Sequence, residues 1–180
     1  EVWFKPDNLT PTPSDGQVIF ESGGGTGLGL LLDNNELRAR KMPGNGNVAY
    51  NLSTDPANLL LASATSEFIQ AVVTYNVSAG TLQLYVNGSL IGSATPTGND
   101  WSGGDGFALG TLGEANVGGI GGGQSDTESF DGTIALMRVY RDQVLTAAEV
   151  SSNFFAAQPT NWDNSVAISG AQDVGVLTQS

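Results

Sequence analysis

Cysteine and histidine are both absent from the 180 residues of this chain. Their absence excludes disulfides, thiol nucleophiles, zinc sites of the usual kind, and every triad or acid–base pair built on imidazole. Basic residues are scarce: Lys and Arg total 6 against 18 Asp and Glu, for a net charge of −12. Nucleic acid and anionic lipid surfaces both need Lys and Arg to neutralise phosphate, so neither is expected as a partner. Long apolar runs are lacking too. Leu28 to Leu32 and Leu59 to Ala62 are strand-sized, well short of the ~18 residues that suggest a membrane helix, so no membrane insertion is expected. No signal-peptide pattern opens the chain. It begins directly in a strand-like run, and its N-terminus reads as cut.

What is present is uncharged polarity and glycine. Only 13% of residues are charged, 39% are apolar, and glycine contributes 25. This style suits an exported protein, and zero cysteine fits bacterial export better than a eukaryotic secreted domain. Strand signals recur to about residue 140. Val2-Trp3-Phe4 and Gln17 to Glu21 come first, then a Gly-rich loop at Ser22–Gly27. No Lys-Ser/Thr follows that loop and no helix starts there, so it is not a phosphate cradle. Leu28 to Leu32 and Glu36 to Arg40 flank Asp33-Asn34-Asn35 as a hairpin. Phe68 to Tyr75 is β-branched and aromatic, and Asn87-Gly88 joins Thr81–Val86 to Ser89–Ala94. Asn-Gly between alternating runs is the strongest short-range hairpin signal. Phe107 to Gly110 is a further strand. So is Gly132 to Tyr140, with Ile134, Leu136, Arg138 and Tyr140 expected on one face and Ala135, Met137 and Val139 on the other.

One helix is expected. Thr146-Ala147-Ala148-Glu149 has the form of a capping box, Val150, Phe154 and Phe155 supply an apolar face, and Pro159 ends it. Many short strands with Gly-rich turns and one late helix predict an all-β fold: an antiparallel β-sandwich of the jelly-roll kind, with one short helix near 146–157. The domain is expected over residues 1–158, with 159–180 as a tail, linker or edge-strand segment.

Two stretches carry a family resemblance. They are Leu84-Tyr85-Val86-Asn87-Gly88 and the run from Phe130-Asp131-Gly132-Thr133-Ile134 through Leu145-Thr146-Ala147-Ala148-Glu149. In this order, after the Trp3-Phe4-Lys5-Pro6 and Ile19-Phe20-Glu21-Ser22 strands, they resemble laminin-G-like and pentraxin-like domains of the concanavalin A-like lectin/glucanase superfamily. The resemblance covers roughly Glu1 to Ala157. Such domains usually carry one or two further strands before the position of Glu1, so part of the sandwich is expected to be missing from this chain, or to be supplied by the tail or by a separate peptide. Where the family often has a His pair, Ile69-Gln70 stands here.

The superfamily includes glycoside hydrolases, which need two carboxylates about 5 Å apart or a wider pair. The strand-borne acidic run of the laminarinase-like members is absent, and no catalytic residue is assigned. Calcium is the expected cofactor, since it takes oxygen ligands from carboxylates, amides and backbone carbonyls. Glu114, Asn116, Asp126, Glu128 and Asp131, in or beside the loop 113–129, are its candidate ligands. By resemblance, pentraxin-like domains bind calcium through the equivalent loop. Strand alternation puts Asn87-Gly88 at the same end, and the resemblance puts the Ser22–Gly27 loop there too. The alternative is an ordinary solvated acidic loop. A second loop holds Asn99, Asp100, Trp101 and Asp105. There the indole provides a stacking platform for a pyranose and the polar groups take hydroxyls, or Trp101 folds inward to cap the sandwich. The expected role is a non-catalytic extracellular module that binds a glycan or glycoconjugate or mediates adhesion, within a larger bacterial surface or secreted protein. The alternative is an assembly module completed by a strand from a neighbouring protein chain. A polysaccharide-active enzyme is the third reading.

Overall fold

Among the described residues the runs read as strands form strands, with one more besides, and the 159–180 segment lies outside them. The computed structural model describes residues 1–7, 17–22, 27–33, 36–41, 50–53, 67–96, 107–111 and 129–157. Over these the chain forms β1 (Val2–Pro6), β2 (Gln17–Ser22), β3 (Leu28–Asp33), β4 (Glu36–Lys41), β5 (Tyr50–Ser53), β6 (Ile69–Asn76), β7 (Thr81–Val86), β8 (Ser89–Ala94), β9 (Phe107–Leu109), β10 (Gly132–Met137) and the helix α1 (Ala147–Ala156). Strand β5 was not anticipated, because Tyr50-Asn51-Leu52-Ser53 is too short to show a period. Among the described residues no helix is long and apolar enough to cross a membrane.

The strands form two five-stranded sheets, ordered β10-β1-β6-β7-β8 and β5-β4-β3-β2-β9, with every neighbouring pair antiparallel. Period-two alternation aims one face of each sheet at the other. Val2, Phe4, Ile69, Ala71, Leu84 and Val86 come from the first sheet. They meet Ile19, Phe20, Leu30, Leu32, Leu37 and Ala39 of the second. The jelly-roll-like sandwich expected from the sequence is the fold.

One strand breaks its expected phase. Trp3 pairs with Leu136 but Phe4 pairs with Ile134, so Ala135 is an extra residue on β10. This bulge turns Ile134 and Met137 toward the core, and Leu136 and Arg138 lie on the other face. The expectation that Ile134 shares a face with Leu136, Arg138 and Tyr140 is corrected on this point; a bulge resets a period-two count.

The outer face of the first sheet is covered by α1. Its capping box forms as expected: the Thr146 hydroxyl accepts from the Glu149 amide at 3.3 Å, and the Glu149 carboxylate accepts from the Thr146 amide at 2.7 Å. Val150 is fully buried with Val72, Tyr85 and Leu145. Phe154 stacks on Trp3, centroids 5.8 Å apart and planes within 2°, a contact that adds about 1 kcal/mol beyond area burial. Phe155 differs from expectation. It is 74% exposed, because it lies on the helix flank turned from the sheet.

The helix depends on the Asn87-Gly88 turn beneath it. Both residues have positive φ, 48° and 77°, as a two-residue hairpin turn requires. A Cβ on Gly88 would sit 3.1 Å from Phe154 Cβ and 3.3 Å from Ser151 Cα. Gly110 has a similar φ of 74°, but its nearest neighbour would be Ile134 Cδ1 at 3.8 Å. Gly110→Ala therefore carries backbone strain alone, about 1 kcal/mol, while Gly88→Ala adds a collision with α1 and loses about 2 kcal/mol or more. Urea unfolding of the two variants measures the difference, and equal losses would show that the helix yields at no cost.

Candidate functional site

Strand ends decide which loops can act together. At one end lie the Asn87-Gly88 turn, the Pro6–Gly132 pair and Gln17. Gln17 Oε1 accepts from the Asp131 amide at 2.7 Å, and the Asp131 carbonyl accepts from the Asp7 amide at 2.9 Å. At the other end lie Ser22, Leu28, Phe107 and the β6–β7 turn.

This layout divides the expected sites. Asn99, Asp100, Trp101 and Asp105 lie outside the described residues, but their segment runs from β8, which ends at Ala94, to β9, which starts at Phe107, so it is anchored at the Ser22 end. Glu114, Asn116, Asp126 and Glu128 also lie outside the described residues. Their segment leaves after Gly110, whose amide donates to the Ile19 carbonyl at 2.8 Å, and returns at Ser129, bridged to Val18. It is thus anchored at the Asp131 end, with Asn87-Gly88 as expected. The Ser22–Gly27 loop is not there. Ser22 pairs with Phe107 at the opposite end, because β2 runs away from Gln17. That part of the expectation is corrected. Asp131 itself is exposed, with its backbone pinned on both sides. No group of three or more potential metal-ligating side chains occurs among the described residues.

The strongest electrostatic feature went unread in the sequence. Glu1 is 7% exposed, and its carboxylate lies on the outer face of the first sheet, under α1. Oε1 accepts from Trp3 Nε1, Gln70 Nε2 and Arg138 Nη1, each at 3.1 Å. Oε2 accepts from the Tyr140 hydroxyl at 2.9 Å and from Asn153 Nδ2 at 3.1 Å. Gln70 is itself fixed, since its Oε1 accepts from the Gly88 amide at 3.1 Å. Burial by itself would raise the Glu1 carboxyl. Hydrogen bonds from Gln70 and Tyr140, the Arg138 charge and the Trp3 indole reverse this and hold it below the usual carboxylate range. Burial, and then the bond to Glu1, raise the Tyr140 phenol above its ordinary value. A sequence signal existed: Glu1, Gln70, Arg138 and Tyr140 are polar residues on the Trp3 face of otherwise apolar strands.

Beside this network a groove of about 660 Å³ opens at the Ser22 end, between β6 and the segment Met137–Leu145. Glu1, Arg138 and Tyr140 form its polar side, and Phe20 and Phe107 its apolar side.

An unfolded glutamate titrates near about 4.3. Folded Glu1 titrates lower, so its network contributes fully above the unfolded value and is lost as pH falls through the folded one. Arg138→Met removes the charge partner and is expected to lose about 3 kcal/mol at pH 7. Tyr140→Phe removes one charge-assisted bond, about 1.5 kcal/mol. Both raise the Glu1 carboxyl toward its ordinary value, so less stability is lost on acidification and the acid limb is shallower than in the parent. Urea titrations across pH 3 to 7 read both effects, and an unmoved acid limb would show that Glu1 does not carry it.

Comparison with known proteins matches this geometry. The laminin G family profile described as "Concanavalin A-like lectin/glucanases superfamily" matches residues 1–151. Among curated proteins none matches the sequence. A carbohydrate-binding module, CBM40, of the Ruminococcus gnavus IT-sialidase, solved with alpha2,3 sialyllactose, is similar at 20% identity and TM-score 0.61, over 84% of this chain and 78% of that one. A heptameric SAP-like pentraxin from Limulus polyphemus is similar at 17% identity and TM-score 0.61, over 88% and 69%. Mouse laminin alpha1 domains LG4-5 follow at 15% and 0.50, over 74% and 32%. At these identities the structures share the fold; the family rests on the profile, and the chain belongs to the laminin G-like branch of the concanavalin A-like lectin/glucanases superfamily.

Proposed function

We propose that the chain is a non-catalytic, extracellular carbohydrate-binding module of a larger secreted or surface protein. The observation that carries this reading is the superfamily match over residues 1–151 on a sandwich that a sialyllactose-bound module shares. The similar solved domains named above are a carbohydrate-binding module, a pentraxin and laminin domains, which supports a binding role over a catalytic one.

The sugar contact is assigned to the segment between β8 and β9. Trp101 offers a ring to stack on a pyranose, and Asn99, Asp100 and Asp105 take hydroxyls. A net charge of −12 repels acidic sugars at long range, so neutral glycans are favoured unless a cation offsets the charge. Calcium is that cation in this reading, held by Glu114, Asn116, Asp126, Glu128 and Asp131. These offer carboxylate and amide oxygens, the donor chemistry of a hard cation. Asp131 supports the fit, since its backbone is fixed while its side chain is exposed.

A glycan array with neutral and sialylated members, run with calcium and with chelator, tests the reading. Binding that drops at least tenfold in Trp101→Ala supports the sugar assignment, and an array blank under both conditions overturns the module. Thermal melting tests the metal separately. Calcium at about 100 times its Kd adds about 2.7 kcal/mol, and Asp126→Asn with Glu128→Gln abolishes the gain. A melting temperature indifferent to calcium and chelator removes calcium from the account.

A further inference from the structure

Asn87-Gly88 joins the two residue types most prone to closing a succinimide. The glycine nitrogen can reach the asparagine side-chain carbonyl because no Cβ shields it. Two conditions must be met. The Gly88 N–H must be free to give its proton to solvent base, and the Asn87 carboxamide must be free to swing onto that nitrogen. Both residues are half-buried under α1, and both groups are engaged.

One residue engages them. The Gly88 amide donates to Gln70 Oε1 at 3.1 Å, and Asn87 Oδ1 accepts from the Gln70 amide at 3.0 Å. The Asn87 amide in turn donates to the Gln70 carbonyl at 2.9 Å. The Asn87 side chain thus supplies the last rung of the β6–β7 ladder, one step beyond the Ala71–Val86 pair, in place of a backbone carbonyl. Gln70 is itself fully buried, and its Nε2 donates to Glu1 Oε1 at 3.1 Å. An ionised carboxylate only accepts, so Glu1 fixes which end of the Gln70 amide faces Gly88.

We propose that Asn87 is a self-modification site, a succinimide-forming asparagine that Gln70 keeps closed in the folded chain, and that its reaction unseats α1. When the clamp opens, the Gly88 nitrogen loses its proton to solvent base and attacks Asn87 Cγ. A C–N bond forms there, and the side-chain nitrogen leaves as ammonia. Water then opens the five-membered imide to aspartate or to isoaspartate. Aspartate keeps an oxygen for the Gln70 amide. Isoaspartate routes the main chain through the former side chain and adds one carbon to the turn. The turn has no slack for it, since even a Cβ on Gly88 would lie 3.1 Å from Phe154 Cβ and 3.3 Å from Ser151 Cα. The helix has to lift, and because the change is covalent, refolding does not restore its seat.

The test is peptide-resolved mass spectrometry of the full chain aged at neutral pH, with isoaspartyl methyltransferase labelling to separate the two products. Asn45-Gly46 is a second Asn-Gly pair in the sequence and acts as an internal clock in urea, where the two pairs are expected to react alike. Native Asn87 is expected to react at least about tenfold more slowly than in urea, since two hydrogen bonds must break first. Gln70→Met removes the Oε1 acceptor and is expected to react about fivefold faster than the parent, as the loss of one hydrogen bond implies. Tyr140→Phe takes a donor from the same Glu1 carboxylate but leaves Gly88 clamped, and is expected to match the parent. Equal rates in these two variants, or native Asn87 reacting as fast as in urea, overturn the clamp. Hydrogen exchange of the Gly88 amide in the parent needs no variant, and exchange as fast as in urea overturns it too. Chains with isoaspartate at position 87, separated by ion exchange, are expected to melt about 5 °C lower; an unchanged melting temperature overturns the unseating of α1.

Discussion

A single buried carboxylate ties the first sheet to its helix. Glu1 accepts hydrogen bonds from side chains on β1, on β6, on the chain that follows β10 and on α1. Desolvating a charge is expensive unless every lone pair is met and an opposite charge is near. Arg138 and four neutral donors meet that requirement together, so the strands and helix are held in one mutual register. The alignment of Trp3 with Phe154 follows from that register. So does the close approach of α1 to Gly88, which Gln70 links to the same carboxylate.

Local chemistry was legible in the sequence; long-range chemistry was not. The Asn87-Gly88 turn, the Thr146–Glu149 capping box and the alternating runs each declare themselves within a few residues, and each forms as read. Ala135 defeats the reading of β10 because a bulge depends on the partner strand as well as the strand itself. Phe155 misleads because helical spacing alone does not say how wide a stripe the sheet can cover. Glu1 was invisible as a centre because its partners are up to 152 residues away in sequence. Of the candidate site residues, Asp131 falls among the described residues, and the others lie outside them.

Those strands still have something to say about function. The two candidate segments leave from opposite ends of the sandwich: β8 and β9 bound the one that holds Trp101 at the Ser22 end, and Gly110 and Ser129 bound the acidic one at the Asp131 end. The resemblance to pentraxins led toward a single end holding both the Ser22–Gly27 loop and the acidic loop, and the direction of β2 rules that out.

The Trp3–Phe154 stack carries a consequence for how such a chain can change. The two rings lie within 2° of parallel, and a Cβ on the turn glycine would crowd Phe154 and Ser151 of the helix. A substitution on the face beneath α1 must be matched by others before the helix can seat again. The fold thus couples Trp3, Phe154 and Gly88, and change beneath the helix has to come in matched sets of substitutions and not singly.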